Sequence, residues 1–461
     1  MRSLQPIADT LERLANGKLS SSALVGACLK AIDDPAGEGS RTFIRVDSES
    51  ARRTAAELDA SRPKSPLAGL PISVKDLLDV VGEPTAAGSA ILADAAPSER
   101  DAVAVQRLRH AGAVLVGRTN MTEFAFSGLG LNPHYGTPRN PYDRVVGRIP
   151  GGSSSGAAIS VTDQMASAAI GSDTGGSVRI PAALCGLTGF KPTARRVSLE
   201  GSLPLSSTMD SLGPLAPTVA CCALIDAVLA GDDPKALEVY PLAGLRLAVL
   251  QGYVLDGLEA LVSSAFASAL SLLSSFGAML TDVTFASLEQ IPMANQKGGF
   301  SAAESYAWHR PLLAENAARY DPRVLSRILR GKEMSAADYI DVLNARKRIM
   351  ADAAAAFEGF DAILMPTVPR IAPPIADLEA SDAAYFDANV AMLRNPSIIN
   401  FLDGCALSIP SHMPGEGPVG LTIAGLSGQD RKILGIGAAI EAVLATGGRA
   451  IHGQASWDAR A

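Results

Sequence analysis

Apolar positions along this chain recur in two alternating rhythms. Over 7–15 and 20–32 they return at helical spacing, with Ser20, Ser21 and Ser22 as N-cap candidates for the second helix. Residues 48–60 predict a charged amphipathic helix. A strand follows at 70–75, with Ile72 and Val74 on one side and Ser73 and Lys75 on the other. A helix over 101–111 and a strand over 113–117 set a βα rhythm. Further strands are predicted at 244–250, 278–284, 361–366 and 418–424, separated by helices at 255–276, 302–316, 335–357 and 429–446. This alternation predicts an α/β fold in one large domain spanning 1–461. Its central element is a mixed twisted β-sheet covered by α-helices on both faces.

Two regions depart from the rhythm. Residues 127–153 are rich in Gly and Pro, lack a period and read as a long functional loop. A small-residue helix over about 156–162 follows, then an apolar stretch that ends in a turn at 171–177. The segment 260–280 carries no charge and is long enough to span a bilayer. Yet Ser264, Ser268, Ser271 and Ser275 form one helical stripe, and Val262, Phe266, Leu270 and Leu273 form the opposite one. That pattern predicts a helix lying on a core, not a membrane span.

Composition narrows the function classes. The 461 residues are 48% hydrophobic and 19% charged, with a net charge of -7, so a packed core is expected and nucleic acid is not an expected partner. The five histidines and five cysteines show neither C-x-x-C nor H-E-x-x-H spacing, which argues against a metal site. An odd cysteine number and acids within the first apolar residues predict reduced thiols and a cytoplasmic location.

The chemistry concentrates in two serine-glycine clusters. Gly151-Gly-Ser-Ser-Ser-Gly156 opens the small-residue helix, and Gly171-Ser-Asp-Thr-Gly-Gly-Ser-Val-Arg-Ile-Pro181 forms the later turn. Glycines beside a serine let backbone N–H groups approach a developing negative charge. Gly152-Ser-Ser-Ser-Gly156 also satisfies G-x-S-x-G, which would make Ser154 the nucleophile of an α/β-hydrolase esterase. That elbow needs a preceding strand and an upstream His-Gly-Gly loop. Residues 142–150 are too broken for the first, and the second is absent. An alternative needs no histidine: a lysine made neutral by burial can take the proton of a serine hydroxyl. Moving its pKa from about 10.4 to working pH requires roughly 4 kcal/mol from the site. Lys75, at the end of an apolar strand and followed by Asp76, is the candidate.

These clusters resemble the amidase signature family. The resemblance continues through Gly69-Leu-Pro-Ile-Ser-Val-Lys-Asp76, Gly117-Arg-Thr-Asn-Met-Thr-Glu-Phe124, Cys185-Gly-Leu-Thr-Gly-Phe-Lys-Pro-Thr193 and Gly213-Pro-Leu-Ala216. The signature core falls at about 65–220, and a more variable, substrate-shaping region falls at about 230–415. The resemblance implies a Ser-cisSer-Lys triad. Ser177 matches the nucleophile, Ser153 the bridging serine that the family holds in a cis peptide, and Lys75 the base. It further implies an oxyanion hole from the backbone of Thr174, Gly175, Gly176 and Ser177. Ser154 is expected to hold Lys75 by hydrogen bond, and Asp173 and Arg179 to support the loop as a pair. On the acyl side it implies Met121, Phe126 and Ser127, with Trp308, Ile398 and Phe401 in the variable regions.

The resemblance implies hydrolysis of a carboxylic or carbamic amide to acid plus amine or ammonia, with no cofactor and no metal. Side activity on esters or urethanes follows from the same acyl chemistry. The expected partner is a small-molecule amide, with neither nucleic acid nor membrane, and a homodimer is compatible with this reading. Within the family the alternative is the glutaminase (A) subunit of a tRNA-dependent amidotransferase. Glu304-Ser-Tyr-Ala-Trp-His-Arg-Pro311 and Tyr320-Asp-Pro-Arg323 look more like stand-alone amide hydrolases. The chain departs from the pattern at Pro217, where relatives often carry arginine, and at Ala157, commonly serine.

Overall fold

The computed structural model describes residues 4–452, so the two ends of the 1–461 range lie outside the described residues. Eleven strands join one sheet: β1 (Phe43–Arg45), β2 (Pro71–Lys75), β3 (Val114–Thr119), β4 (Ala168–Ser172), β5 (Thr188–Lys191), β6 (Leu212–Ala216), β7 (Arg246–Leu250), β8 (Met279–Val283), β9 (Ala362–Pro366), β10 (Cys405–Pro410) and β11 (Gly420–Gly425). Their spatial order is β1-β3-β2-β4-β6-β5-β10-β11-β9-β7-β8. The sheet is mixed: β2 runs parallel to β3 and β4, and β7 to β8 and β9, while the central pairs are antiparallel.

The central strands β2, β4, β5, β6, β9, β10 and β11 are buried along their whole length. Helices cover both faces, so polar positions such as Ser73, Thr188 and Thr422 on these strands are buried along with the apolar ones. The βα rhythm of the amino-terminal half and the strands at 246–250, 279–283, 362–366 and 420–425 fall where periodicity put them. Sequence pattern missed β1, β5, β6 and β10 and left β4 as an apolar stretch; the helices it missed include Arg179–Cys185, Val219–Ala230, Pro322–Leu329 and Asp382–Arg394. Gly213 and Pro214 inside β6, and Pro181 inside Arg179–Cys185, are residues that normally punctuate structure. Their context in the sheet and core overrides that preference.

The uncharged segment forms a helix only over Ala260–Ser275, with Val262, Phe266 and Leu273 buried and the serine stripe exposed. Among the described residues no helix is long and apolar enough to cross a membrane.

Register places the chemistry. β2 and β4 are parallel, with Val74 opposite Ile170. Lys75 at the carboxyl end of β2 therefore lies beside the carboxyl end of β4, where Gly171 and Ser172 sit. Ligands of α/β sheets gather at such carboxyl ends, because the loops that leave them converge there. The helix Ser155–Thr162 packs across these strands, and a Cβ at Gly171 would lie 2.6 Å from Ser154 Oγ. Glycine at 171 is what lets the serine cluster approach the sheet so closely.

On β10 the fully buried Leu407 packs against the helix Asp430–Thr446 at Gly437, where a Cβ would meet Leu407 Cδ1. Leu407→Ala is expected to lower stability by about 2–5 kcal/mol, because the side chain is lost from a filled interior. Denaturant unfolding of the purified variant checks this.

Candidate active site

Three loops converge at the carboxyl ends of β2 and β4. Lys75 is fully buried, and its Nζ is hydrogen bonded to Ser153 Oγ at 2.7 Å and Ser172 Oγ at 2.8 Å. The Gly152–Ser153 peptide is cis. The carbonyl of Ser153 accepts from Thr122 N (3.1 Å), and the N–H of Ser154 donates to the Ser177 carbonyl (3.3 Å). Residues 153–154 are thereby tied to the turn that carries Ser177. Burial pushes the Lys75 ammonium down from its ordinary range to about 7, against the opposing fields of Asp210 and Asp173. A lysine so shifted is available as a base near neutral pH.

The turn Asp173–Ser177 is built on an ion pair with no exposure on either side. Arg179 donates Nη2 to Asp173 Oδ1 (2.9 Å) and Nε to Asp173 Oδ2 (3.1 Å). Asn400 adds its Nδ2 to the same carboxylate at 2.9 Å and accepts from Arg179 Nη2 at 2.6 Å. Against the cost of desolvation, these donors hold the Asp173 carboxyl well below the usual carboxylate range. Asp173 also accepts the backbone N–H of Gly176 (2.8 Å), Val178 (3.1 Å) and Arg179 (3.4 Å). This network corrects the expectation for the oxyanion hole, since the Gly176 N–H is already committed to Asp173. Among the described residues the N–H groups of Thr174, Gly175 and Ser177 have no acceptor. Gly176 has φ +127°, and a Cβ there would lie 2.6 Å from Pro396 Cβ, so only glycine fits the turn.

A second correction concerns Ser154. It does not reach Lys75; its Oγ donates to the Ser172 carbonyl at 3.3 Å. Ser172, which sequence reasoning passed over as a turn residue, makes the contact expected of Ser154. Nor is Ser154 placed as an esterase nucleophile. It is fully buried, sits directly before the helix Ser155–Thr162 and has no strand before it.

Ser177 lines a cavity of about 240 Å³, and Lys75 and Ser153 are not among the walls of that cavity. Phe126, Ser127, Thr174, Gly175, Met209 and Phe401 are among its walls. Met121, Trp308 and Ile398 are not. Met121 and Ile398 are buried in the core, and Trp308 packs against Phe124 and His309 with ring centroids 6.2 Å and 4.7 Å apart. A larger cavity of about 1010 Å³, beside the helices Ile7–Ala15 and Ser21–Ile32, contains none of these reactive groups.

Two acidic residues complete the surroundings. Asp210 accepts from Thr174 Oγ1 (2.5 Å) and from the N–H groups of Leu205 and Ser206 (3.0 Å each). Burial raises its carboxyl to about 6. Glu304 accepts from Ser206 Oγ (2.6 Å), Thr208 N (3.0 Å), Thr208 Oγ1 (2.5 Å) and Tyr339 Oη (2.7 Å), which fastens the segment 206–208 to the helix Gly299–Asn316. The Asp210–Thr174 contact and all the Glu304 contacts had no local signal in sequence, because these partners lie tens of residues away.

A mixed α/β sheet with a buried lysine hydrogen bonded to a serine, beside a serine in a turn of free N–H groups, defines a hydrolase of the acyl-transfer kind. Comparison with known proteins gives the family. The Amidase family model matches residues 23–434, and the chain belongs to that family. The 2-amino-5-chloromuconic acid deaminase of Comamonas testosteroni is 34% identical over 452 residues, covering 96% of each chain. A glutamyl-tRNA(Gln) amidotransferase subunit of Roseiflexus sp. (strain RS-1) is also 34% identical, over 476 residues, 95% of this chain and 96% of that one. A crystal structure of an amidase superposes with a TM-score of 0.84 at 32% identity, covering 95% of this chain and 99% of that one. The protein is a hydrolase acting on C–N amide bonds.

Arg179→Met leaves Asp173 as a buried carboxylate without its cation. The expected loss is about 3–5 kcal/mol of stability, read by denaturant unfolding.

Proposed function

We propose that the chain hydrolyses a small carboxylic or carbamic acid amide through an acyl-enzyme on Ser177. The observation that carries this is the fully buried Lys75, hydrogen bonded to Ser153 at 2.7 Å and poised near neutrality. Neutral Lys75 takes the Ser153 proton while Ser153 takes the proton of Ser177. Ser177 Oγ bonds to the amide carbon, and the oxyanion is received by the N–H groups of Thr174, Gly175 and Ser177. Lys75 returns its proton through Ser153 to the leaving nitrogen, the C–N bond breaks, and the amine or ammonia departs. Water then attacks the ester by the same relay and releases the acid. Asp173 and Arg179 shape the turn, and Ser172 holds the lysine from its other side. The proposed setting is the cytoplasm, in keeping with five buried cysteines that are all free.

A second reading, the glutaminase component of a tRNA-dependent amidotransferase, is supported by the 34% identity to the Roseiflexus protein. Hydrolysis by the single purified chain supports the first reading, and glutaminase activity that requires added partner chains supports the second.

Ser177→Ala is expected to abolish labelling by a fluorophosphonate probe and to lower kcat by at least ~10³-fold. Near wild-type turnover would remove Ser177 from its role. Because the base acts only when deprotonated, kcat/KM is expected to rise with pH through about 7. The Asp210 charge favours the protonated lysine, so Asp210→Asn is expected to move this acidic limb to lower pH. A pH–rate profile of both proteins checks the direction.

A further inference from the structure

The cavity at Ser177 carries charge of one sign. Arg327 and Arg330 line it, and among the described residues no carboxylate does. Arg327 belongs to the helix Pro322–Leu329, which buries Val324 and Ile328. Its Cζ lies 4.6 Å from the centre of the Phe126 ring, which is also a cavity wall. Among the described residues it has no ion pair and no hydrogen bond, and its Nε is buried without an acceptor. Burial pushes the guanidinium down to about 10, and the groups acting on it are Tyr385 and Arg330, with no carboxylate among them.

Arg327 is half-buried and Arg330 exposed, and the fully buried arginines are arranged differently. Arg179 is paired with Asp173 at 2.9 Å and Arg118 with Glu83 at 3.3 Å. The acids beside the cavity are already engaged: Glu304 by Ser206, Thr208 and Tyr339, and Asp210 by Thr174, Leu205 and Ser206. Arg330 gives Nη2 to the Gln296 carbonyl at 2.5 Å and has other N–H groups to spare. A half-buried guanidinium without a counter-ion keeps its charge uncompensated on the shielded side, and its planar fork matches a carboxylate.

We infer that this cavity selects amides whose acyl part ends in a carboxylate, with Arg327 receiving that carboxylate and Arg330 reinforcing it at the same wall. The cavity offers no carboxylate to an ammonium, so it discriminates against α-amino acid amides such as glutamine and asparagine. At about 240 Å³ it is smaller than the roughly 300–1,000 Å³ of pockets for drug-sized ligands, in keeping with a short dicarboxylic monoamide. This inference rests on the amide-hydrolase reading and adds the substrate class.

The test compares succinamate and glutaramate with neutral butyramide and pentanamide and with zwitterionic asparagine and glutamine, on the purified full chain. The better monoamide is expected to exceed its neutral and zwitterionic counterparts at least tenfold in kcat/KM. Arg327→Gln is expected to lower the monoamide-to-neutral ratio about 10- to 100-fold, the range of a lost charge-assisted contact, and Arg330→Gln to lower it less. Binding is read separately: glutarate is expected to protect Ser177 from a fluorophosphonate in the wild type and to lose this effect in Arg327→Gln. Equal rates on neutral amides, a preference for glutamine, or protection unchanged by Arg327→Gln would overturn the inference and leave the hydrolase reading standing. Failure of Ser177 to label would instead overturn the hydrolase reading.

Discussion

Taking the ammonium of Lys75 out of water is the constraint around which the centre is organised. The lysine ends a strand buried on both faces, and two serine hydroxyls are the partners its nitrogen finds. Desolvation disfavours the charged form, while Asp173 and Asp210 oppose that drift from a distance. The result lies between two useless extremes. With ordinary solvation the lysine would stay protonated, and with no acids nearby it would be too weak a base to hold the serine proton. The long Gly-Pro loop and the small-residue helix serve this balance by closing the site with backbone and alanine instead of water.

The turn at 173–177 has the complementary requirement. Backbone N–H groups stabilise an oxyanion only if they are rigidly aimed and otherwise unoccupied. The Asp173–Arg179–Asn400 network meets the first condition by occupying the N–H groups of Gly176, Val178 and Arg179, which leaves those of Thr174, Gly175 and Ser177 open. An ion pair so completely buried is weak support for stability in general. In the proposed mechanism it is a template that separates structural N–H groups from those offered to a substrate. Asp210 extends the template through Thr174, whose hydroxyl it holds while the Thr174 N–H stays open.

The walls of the Ser177 cavity, where substrate selection is proposed, come from more distant parts of the chain. Phe126 and Ser127 come from the loop after β3, Met209 from the segment before β6, Arg327 from a helix between β8 and β9, and Phe401 from the approach to β10. In the proposed reading the reaction and its specificity have separate structural sources, the first in the sheet ends and the second in the helices that roof them. The matched deaminase and amidotransferase subunit each share 34% identity with this chain.

Much of this was legible in the sequence because it is local. Helical and strand periods report which face a residue turns, so the sheet-and-helix architecture followed from the pattern of apolar positions. The serine-glycine turns and the lysine strand carry their chemistry within runs of a few residues. What sequence could not yield depends on distance along the chain. Ser172 read as one more turn residue until parallel register set β4 beside Lys75. The commitment of the Gly176 N–H to Asp173, and the release of its neighbours, is decided by hydrogen-bond geometry that no residue type implies. Trp308, expected as a pocket wall, is a packing residue, while Arg327 drew no attention, since an arginine on an amphipathic helix is ordinarily solvated. Only the folded chain shows that this guanidinium lines the Ser177 cavity without a counter-ion, because charge compensation is a property of the surroundings and not of the segment.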